Sequence, residues 1–174
     1  MDPRYPIGTF TAPAEYTTAS RAGAIGKIAA LPGLLRRTVA GRSPEQLDTR
    51  YREGGWTIRQ VVHHVPDSHM NAYVRFRLAL TEDRPVIKAY EEARWAELAD
   101  ARSGPIEISL DLIDALHVRW VRLLEALGPA EFARTFKHPE MGEMSLDRTL
   151  AMYAWHGEHH VGQIASLAER MGWR

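Results

Sequence analysis

Four stretches of this chain repeat their apolar residues at steps of three and four, and none alternates them at every second position. The first step pattern belongs to helices with one buried stripe, the second to half-buried strands. The first stretch starts near Thr18 and carries Ala22, Ile25, Ile28 and Ala29. It resumes through Leu34, Leu35 and Val39 after Pro32, where a kink is expected, and Gly41 closes it. The second runs from Thr57 to about Leu80 on Ile58, Val61, Val62, Val65, Ala72, Tyr73 and Phe76, with Pro66 inside it at the loss of a backbone hydrogen bond. The third spans roughly Leu110–Leu127 on Ile113, Leu116, Trp120, Leu123 and Leu124, stopped by Gly128-Pro129. The fourth opens on Ser145 as N-cap and runs to about Arg170, with Leu146, Leu150, Tyr153, Gly157, His160, Ile164, Leu167 and Met171 as its stripe. The expected fold is therefore all-α, a four-helix bundle in one domain over residues 1–174. Proline-punctuated residues 1–16 form an extended arm. Residues 81–107 form a long crossover with a short helical piece near Glu91–Leu98, and 129–144 form a loop.

Composition narrows the chemistry more than the fold. The chain has no cysteine, which removes disulfides, thiolate nucleophiles, zinc ribbons and iron–sulfur clusters, so any metal is held by His, Asp, Glu or backbone oxygen. Lys plus Arg and Asp plus Glu both number 22, giving no electrostatic reason to expect nucleic acid or a membrane surface as partner. That same neutrality leaves little repulsion between copies. The N-terminal residues lack the apolar core of a signal peptide, and no window approaches a membrane span, so the expected location is cytoplasmic.

Eight histidines are placed unevenly: three in the second helix (His63, His64, His69), three in the fourth (His156, His159, His160), and His117 and His138 elsewhere. Residues four apart on a helix share a face, so His156 and His160 can chelate one ion, with His160 central in the stripe, His156 on its flank and His159 turned to solvent. A third ligand must come from a facing helix. Periodicity leaves that ligand open, since His69 lies nearer the centre of the second stripe than His64. The segment HGEHH at 156–160 is not the zincin motif, because Glu158 follows the first His by two residues and falls on the wrong face for a general base at the same ion.

Several stretches, in their order and spacing, carry a resemblance. They are RYPIGTF at 4–10, YREGGWTIRQVVHHVPDSHMNAY at 51–73, RFRLALTEDRPVIKAY at 75–90, HPEMG at 138–142 and YAWHGEHHVGQI at 153–164. Over nearly its full length the chain resembles the DinB-like superfamily, and within it the YfiT-type metal-dependent hydrolases. The resemblance implies a four-helix bundle holding Zn or Ni on one His of the second helix and two of the last. The family's second-helix ligand falls eight residues after a Trp, which from Trp56 lands on His64. The His-x-x-x-His-x-Gly-Gln pattern lands on His156 and His160, followed by Gly162 and Gln163. Pro66, two residues after His64, departs from the family's pattern. YfiT-type members are dimeric, so a homodimer is expected.

Three neutral imidazoles leave a divalent ion with its full charge and at least one open position, which suits water activation and carbonyl polarisation. Nitrogen ligands favour Zn or Ni over Mg or Ca. Asp67, one turn beyond His64, is the candidate general base or orienting carboxylate. Asn71 and Gln163 are candidate cavity residues. Hydrolysis of a small-molecule substrate is the first expectation. The alternatives are transfer of a low-molecular-weight thiol of the bacillithiol or mycothiol type, with Arg75 and Arg77 near its carboxylates, and a metal-binding stress protein without turnover.

Overall fold

The computed structural model describes residues 2–173. Helix α1 spans Thr18–Val39, α2 Pro44–Leu47, α3 Ile58–Thr81, α4 Glu92–Trp95, α5 Ala99–Ser103, α6 Ile106–Glu125, α7 Pro129–Phe132 and α8 Leu146–Arg170. The four long helices, α1, α3, α6 and α8, form a four-helix bundle in which α1 packs on α6 and α8, and α3 packs on the same two. No helix among the described residues is long and apolar enough to cross a membrane.

The helix starts follow local chemistry. Thr17, Ser43 and Thr57 each accept a backbone N–H at N3 and receive the N3 side chain in return, closing reciprocal caps on α1, α2 and α3. Ser145 caps α8 by accepting from the Arg148 N–H at 3.1 Å. Both α1 and α3 run uninterrupted through their internal prolines, Pro32 and Pro66. At Gly157 the approach of α1 to α8 is close: a Cβ there would fall on the Leu31 side chain.

Strands do occur, contrary to the sequence expectation. Residues Thr135–His138 (β1) and Gly142–Ser145 (β2) pair antiparallel, Thr135 with Ser145 and His138 with Gly142. Four residues per strand are too few for a period of two to emerge from the sequence. The hairpin also anchors the crossover, since the Ile87 N–H donates to the Lys137 carbonyl at 3.0 Å and the Lys137 N–H to that of Pro85 at 2.8 Å. Three stripe assignments also change: Ala22 and Ala29 are exposed, as is Met171. Met171 is the C-cap of α8, where the helical face no longer has a neighbour to cover it.

The apolar interior is split in two. One cluster gathers Leu31, Leu35 and Val39 of α1 with Ile58, Val61, Val62 and Val65 of α3, Ile113 of α6 and Val161, Ile164 and Leu167 of α8. The other gathers Ile28, Ala72, Phe76, Trp120, Leu124, Leu150, Tyr153 and Ala154. His69 on α3, His117 on α6 and His156 and His160 on α8 lie between the two clusters, and His64 sits at the inner edge of the first, beside Val65. The bundle thus holds a histidine layer between two dry ends.

Candidate metal centre

The helix α3 meets α8 antiparallel at this layer: the His64 ring faces that of His160 at 4.8 Å between centroids, while His69 faces Tyr153 at 5.2 Å. The pairing brings His64, His156 and His160 together, with one ring nitrogen of each inside a 4.8 Å circle. The Nε2 atoms of His64 and His156 are 3.3 Å apart, and those of His156 and His160 are 3.2 Å apart. Nitrogens bound tetrahedrally at 2.0–2.1 Å from one ion sit roughly 3.3 Å from one another. The spacing therefore fits a single transition-metal ion.

Protonation fits as well. Burial pushes the His64 imidazole down to about 4, with the neighbouring His159 adding to the effect. Burial, reinforced by the surrounding histidines, holds His156 and His160 well below the ordinary value. All three are neutral at pH 7, the state a metal requires.

Hydrogen bonds then decide which nitrogen carries the proton. The chain of contacts begins at Pro32, which has no N–H to give to the Ile28 carbonyl four residues back. His117 takes that carbonyl, its Nδ1–H donating to Ile28 O at 2.6 Å. Burial lowers the His117 pKa to about 4, so the ring is neutral and its Nε2 is an acceptor. The His69 Nδ1–H donates to that Nε2 at 2.9 Å, and His69 Nε2 in turn accepts from the Nδ1–H of His156 at 3.2 Å. The Nε2 lone pair of His156 is left bare and faces His64 and His160. A carbonyl at the far end cannot donate, so the direction of the whole chain is fixed. It is an orienting device of the kind that metal-binding histidines use.

His160 is fixed separately. Its Nδ1–H donates to Gln163 Oε1 at 2.9 Å, and Gln163 is held in that orientation because its amide donates to the Arg4 carbonyl at 3.2 Å and to His159 Nε2 at 3.0 Å. Among the described residues the Nδ1 of His64 has no partner. This ring is therefore the one of the three whose proton the protein does not place. Trp56 packs on it, ring centroids 4.6 Å apart.

The remaining sequence candidates fall into place around this centre. His69 is not the third ligand, because it meets His156 on the Nδ1 side, away from the shared point. His159 is buried rather than solvent-facing. Tyr5 approaches its ring at 5.9 Å, Trp155 stacks on it at 4.6 Å, and Pro6 and Ile7 lie over the neighbouring Gly162. The aperiodic N-terminal arm closes what a helical wheel reads as an open face. His63 ties α3 to its neighbours, accepting from the Ser109 hydroxyl at 2.7 Å and donating to the Gly104 carbonyl at 3.2 Å.

Asp67 stands apart from the three nitrogens and makes no side-chain hydrogen bond among the described residues. Burial, with the Asp100 charge beside it, pushes its carboxyl up to about 6. Asn71 donates to the Asp67 carbonyl at 2.9 Å and lines a cleft of about 790 Å³ together with Lys88, Tyr90, Arg94 and Trp95. Sequence reasoning missed Ser68, whose Oγ lies 3.5 Å from His156 Nε2 and whose hydroxyl neighbours the phenols of Tyr90 and Tyr153. Its position four residues after His64 was the available signal. It also missed the roles of His69 and His117, for which the sequence holds no signal short of knowing which carbonyl Pro32 frees.

Comparison with known proteins bears on the family and the fold. Residues 28–164 match the family model of the DinB superfamily. A protein of Oceanobacillus iheyensis named "putative metal-dependent hydrolase" is 54% identical over 173 residues, covering 99% of this chain and 100% of the relative. One of Bacillus mycoides with the same description is 52% identical over 172 residues, 99% of each chain. The solved structure of YfiT from Bacillus subtilis, described as "a probable metal-dependent hydrolase with an unusual four-helix bundle topology", superposes with a TM-score of 0.97 at 41% identity, covering 100% of both chains. A second four-helix bundle, TT2238, shares the fold at a TM-score of 0.56 and 23% identity over 81% of this chain and 94% of its own.

Proposed function

The chain belongs to the DinB superfamily, and on that premise we propose that it is a metal-dependent hydrolase acting on a small molecule, with one ion held by His64, His156 and His160. The observation that carries this reading is the convergence of three neutral imidazoles with one ring nitrogen of each within 4.8 Å of the others, His156 Nε2 standing 3.3 Å from that of His64 and 3.2 Å from that of His160, and two of the three with the lone pair turned inward by hydrogen bonds on the opposite nitrogen. Zinc is the ion assigned, with nickel the other that suits three imidazoles. Such an ion supplies an acidified water and a polarised carbonyl at neutral pH.

The protein's own residues do the rest. Asp67, with a carboxyl near 6, is ionised at pH 7 yet basic enough to accept a proton, and it is the general base in this reading. The Ser68 hydroxyl, next to His156 Nε2, orients the reacting group. Trp56, packed on His64, keeps bulk water from that side of the ion. Two copies associate as a homodimer, a reading supported by the exposed apolar Ile108, Leu112 and Val118 along α6 and checked by light scattering.

A second reading rests on the cleft. Its volume of about 790 Å³ and its basic lining residues Lys88 and Arg94 suit a low-molecular-weight thiol as co-substrate. The test is a panel of esters and amides offered to zinc- or nickel-loaded protein without thiol, beside an electrophile offered with bacillithiol or mycothiol. Turnover of the first panel that disappears in His64→Ala supports hydrolysis. Turnover only with thiol replaces hydrolysis by transfer, and metal uptake with neither activity leaves a binding protein.

A further inference from the structure

Arg75 is only 7% exposed, yet among the described residues its guanidinium makes no hydrogen bond, ion pair or ring contact. Two other shielded arginines of the bundle are held by acceptors of the chain. Arg59 holds Asp48 at 2.7 Å and the Gly104 carbonyl at 3.0 Å, and Arg21 holds both oxygens of Asp147. A guanidinium carries five donors and a permanent charge, and the nitrogens of this one keep a narrow contact with solvent where a protein acceptor would otherwise stand. A side chain kept that way is waiting for an acceptor that the chain does not supply.

His138 adds a second idle donor. It is 8% exposed, at the end of β1, and its Nδ1 accepts the backbone N–H groups of Glu140 at 3.2 Å and Met141 at 3.3 Å. The turn that folds HPEMG thus fixes the tautomer: in the neutral ring the proton sits on Nε2, which has no acceptor among the described residues. Burial lowers the His138 pKa and the charge of Arg75 lowers it further, so the ring is neutral and the two groups share one neighbourhood. Helix α3 packs directly on β1, which carries His138 to Arg75.

The position relative to the metal centre is set by the helix. Arg75 lies eleven residues after His64, three turns along the same stripe of α3 and roughly 16 Å along the axis. Side chains on a helix lean toward its N-terminus, so the guanidinium reaches back toward Ser68, leaving a span on the order of 10 Å to the three nitrogens. Tyr153 neighbours both sites, its ring 5.4 Å from that of His156 and its phenol within the field of Arg75.

We propose that Arg75 and His138 form an oxyanion pocket that holds a carboxylate or phosphate of the substrate while another part of the same molecule reaches the three-histidine centre. The substrate class is therefore an anionic small molecule whose charged group sits several bonds from the group that reacts. This rests on the hydrolase reading for the reaction, though the pocket itself is testable without it.

The experiment uses the full chain, metal-loaded and metal-free, titrated with inorganic phosphate and separately with glutarate. The Arg75 Nε–H and His138 Nε2–H resonances and the melting temperature are followed, with metal content measured on every sample. In anion-free buffer Arg75→Met melts at or above the wild-type temperature, since an unpartnered charge has gone. Wild type melts higher as phosphate or glutarate is added and both resonances shift. Arg75→Met weakens that binding at least tenfold, whereas His64→Ala leaves it unchanged. Three results overturn the pocket: no shift of either resonance with either anion, an anion response kept in Arg75→Met but lost in His64→Ala, or an Arg75→Met chain that melts far below wild type in anion-free buffer. A shift with phosphate but not glutarate identifies a phosphoryl group as the ligand, and the reverse a carboxylate. A chain that takes up no metal yet binds the anion through Arg75 refutes the hydrolase reading and supports the pocket. One that takes up metal and fails the titration refutes the pocket alone.

Discussion

Replacing His117 with Phe tests the hydrogen-bond chain where it is anchored, far from the ion. Two buried groups lose their partners. The Ile28 carbonyl, already without its helical N–H because of Pro32, loses the 2.6 Å bond from His117, and the His69 Nδ1–H loses its 2.9 Å acceptor. Each buried group left unsatisfied costs about 1–3 kcal/mol, so the variant loses on the order of 2–6 kcal/mol in unfolding free energy. His69 is then free to move its proton to Nε2 and oppose the Nδ1–H of His156, and loss of such an orienting partner weakens metal binding about 10–100-fold. Adding Pro32→Ala separates the two effects. The alanine N–H returns to the Ile28 carbonyl and recovers about 1–3 kcal/mol of stability, but metal affinity stays low because His69 is still without an acceptor. Urea denaturation gives the first quantity and competition with a chelator the second. A double variant that recovers both, or a His117→Phe chain with wild-type metal affinity, refutes the tautomer chain.

Three further expectations follow from the same geometry. Gln163→Leu removes the acceptor of the His160 Nδ1–H and weakens zinc binding about 10–100-fold by chelator competition, while Gln163→Glu keeps the acceptor and most of the affinity. In the metal-free chain His64 has its pKa lowered by burial to about 4, so between there and the ordinary 6.5 the unfolded chain takes a proton that the folded one refuses. Its contribution is therefore complete above 6.5 and is lost as pH falls toward 4; His64 alone removes about 2 kcal/mol of stability between pH 7 and pH 5, read by urea unfolding at both. Asp67→Asn abolishes the limb of the pH–rate profile that inflects near 6 and lowers turnover about 100-fold or more, with zinc content unchanged; an intact inflection in that variant removes Asp67 from the reaction.

The fold was legible because its signal is long-range and periodic. Helices α3 and α8 begin and end within about a residue of where Thr57, Ser145 and the apolar steps place them, since caps and stripes are local chemistry. The β1–β2 hairpin was not, because four-residue strands are paired by backbone groups the sequence does not encode by type. At the site, the His156 and His160 pair is a spacing and could be read directly. The choice of His64 over His69 could not, since both lie on the buried side of α3 and only the antiparallel docking of α8 decides which ring offers Nε2 to the shared point. His159 was misplaced for a related reason: a wheel describes one helix, and the Tyr5–Ile7 arm that buries it has no periodicity to declare itself.

The most direct test of the central claim is the metal content of the purified chain beside its His64→Ala, His160→Ala and His159→Ala variants. One zinc or nickel per chain, lost in the first two and kept in the third, is the result this account predicts. A wild-type chain that takes up no divalent ion, or a His64→Ala or His160→Ala chain that still holds one ion tightly, contradicts it.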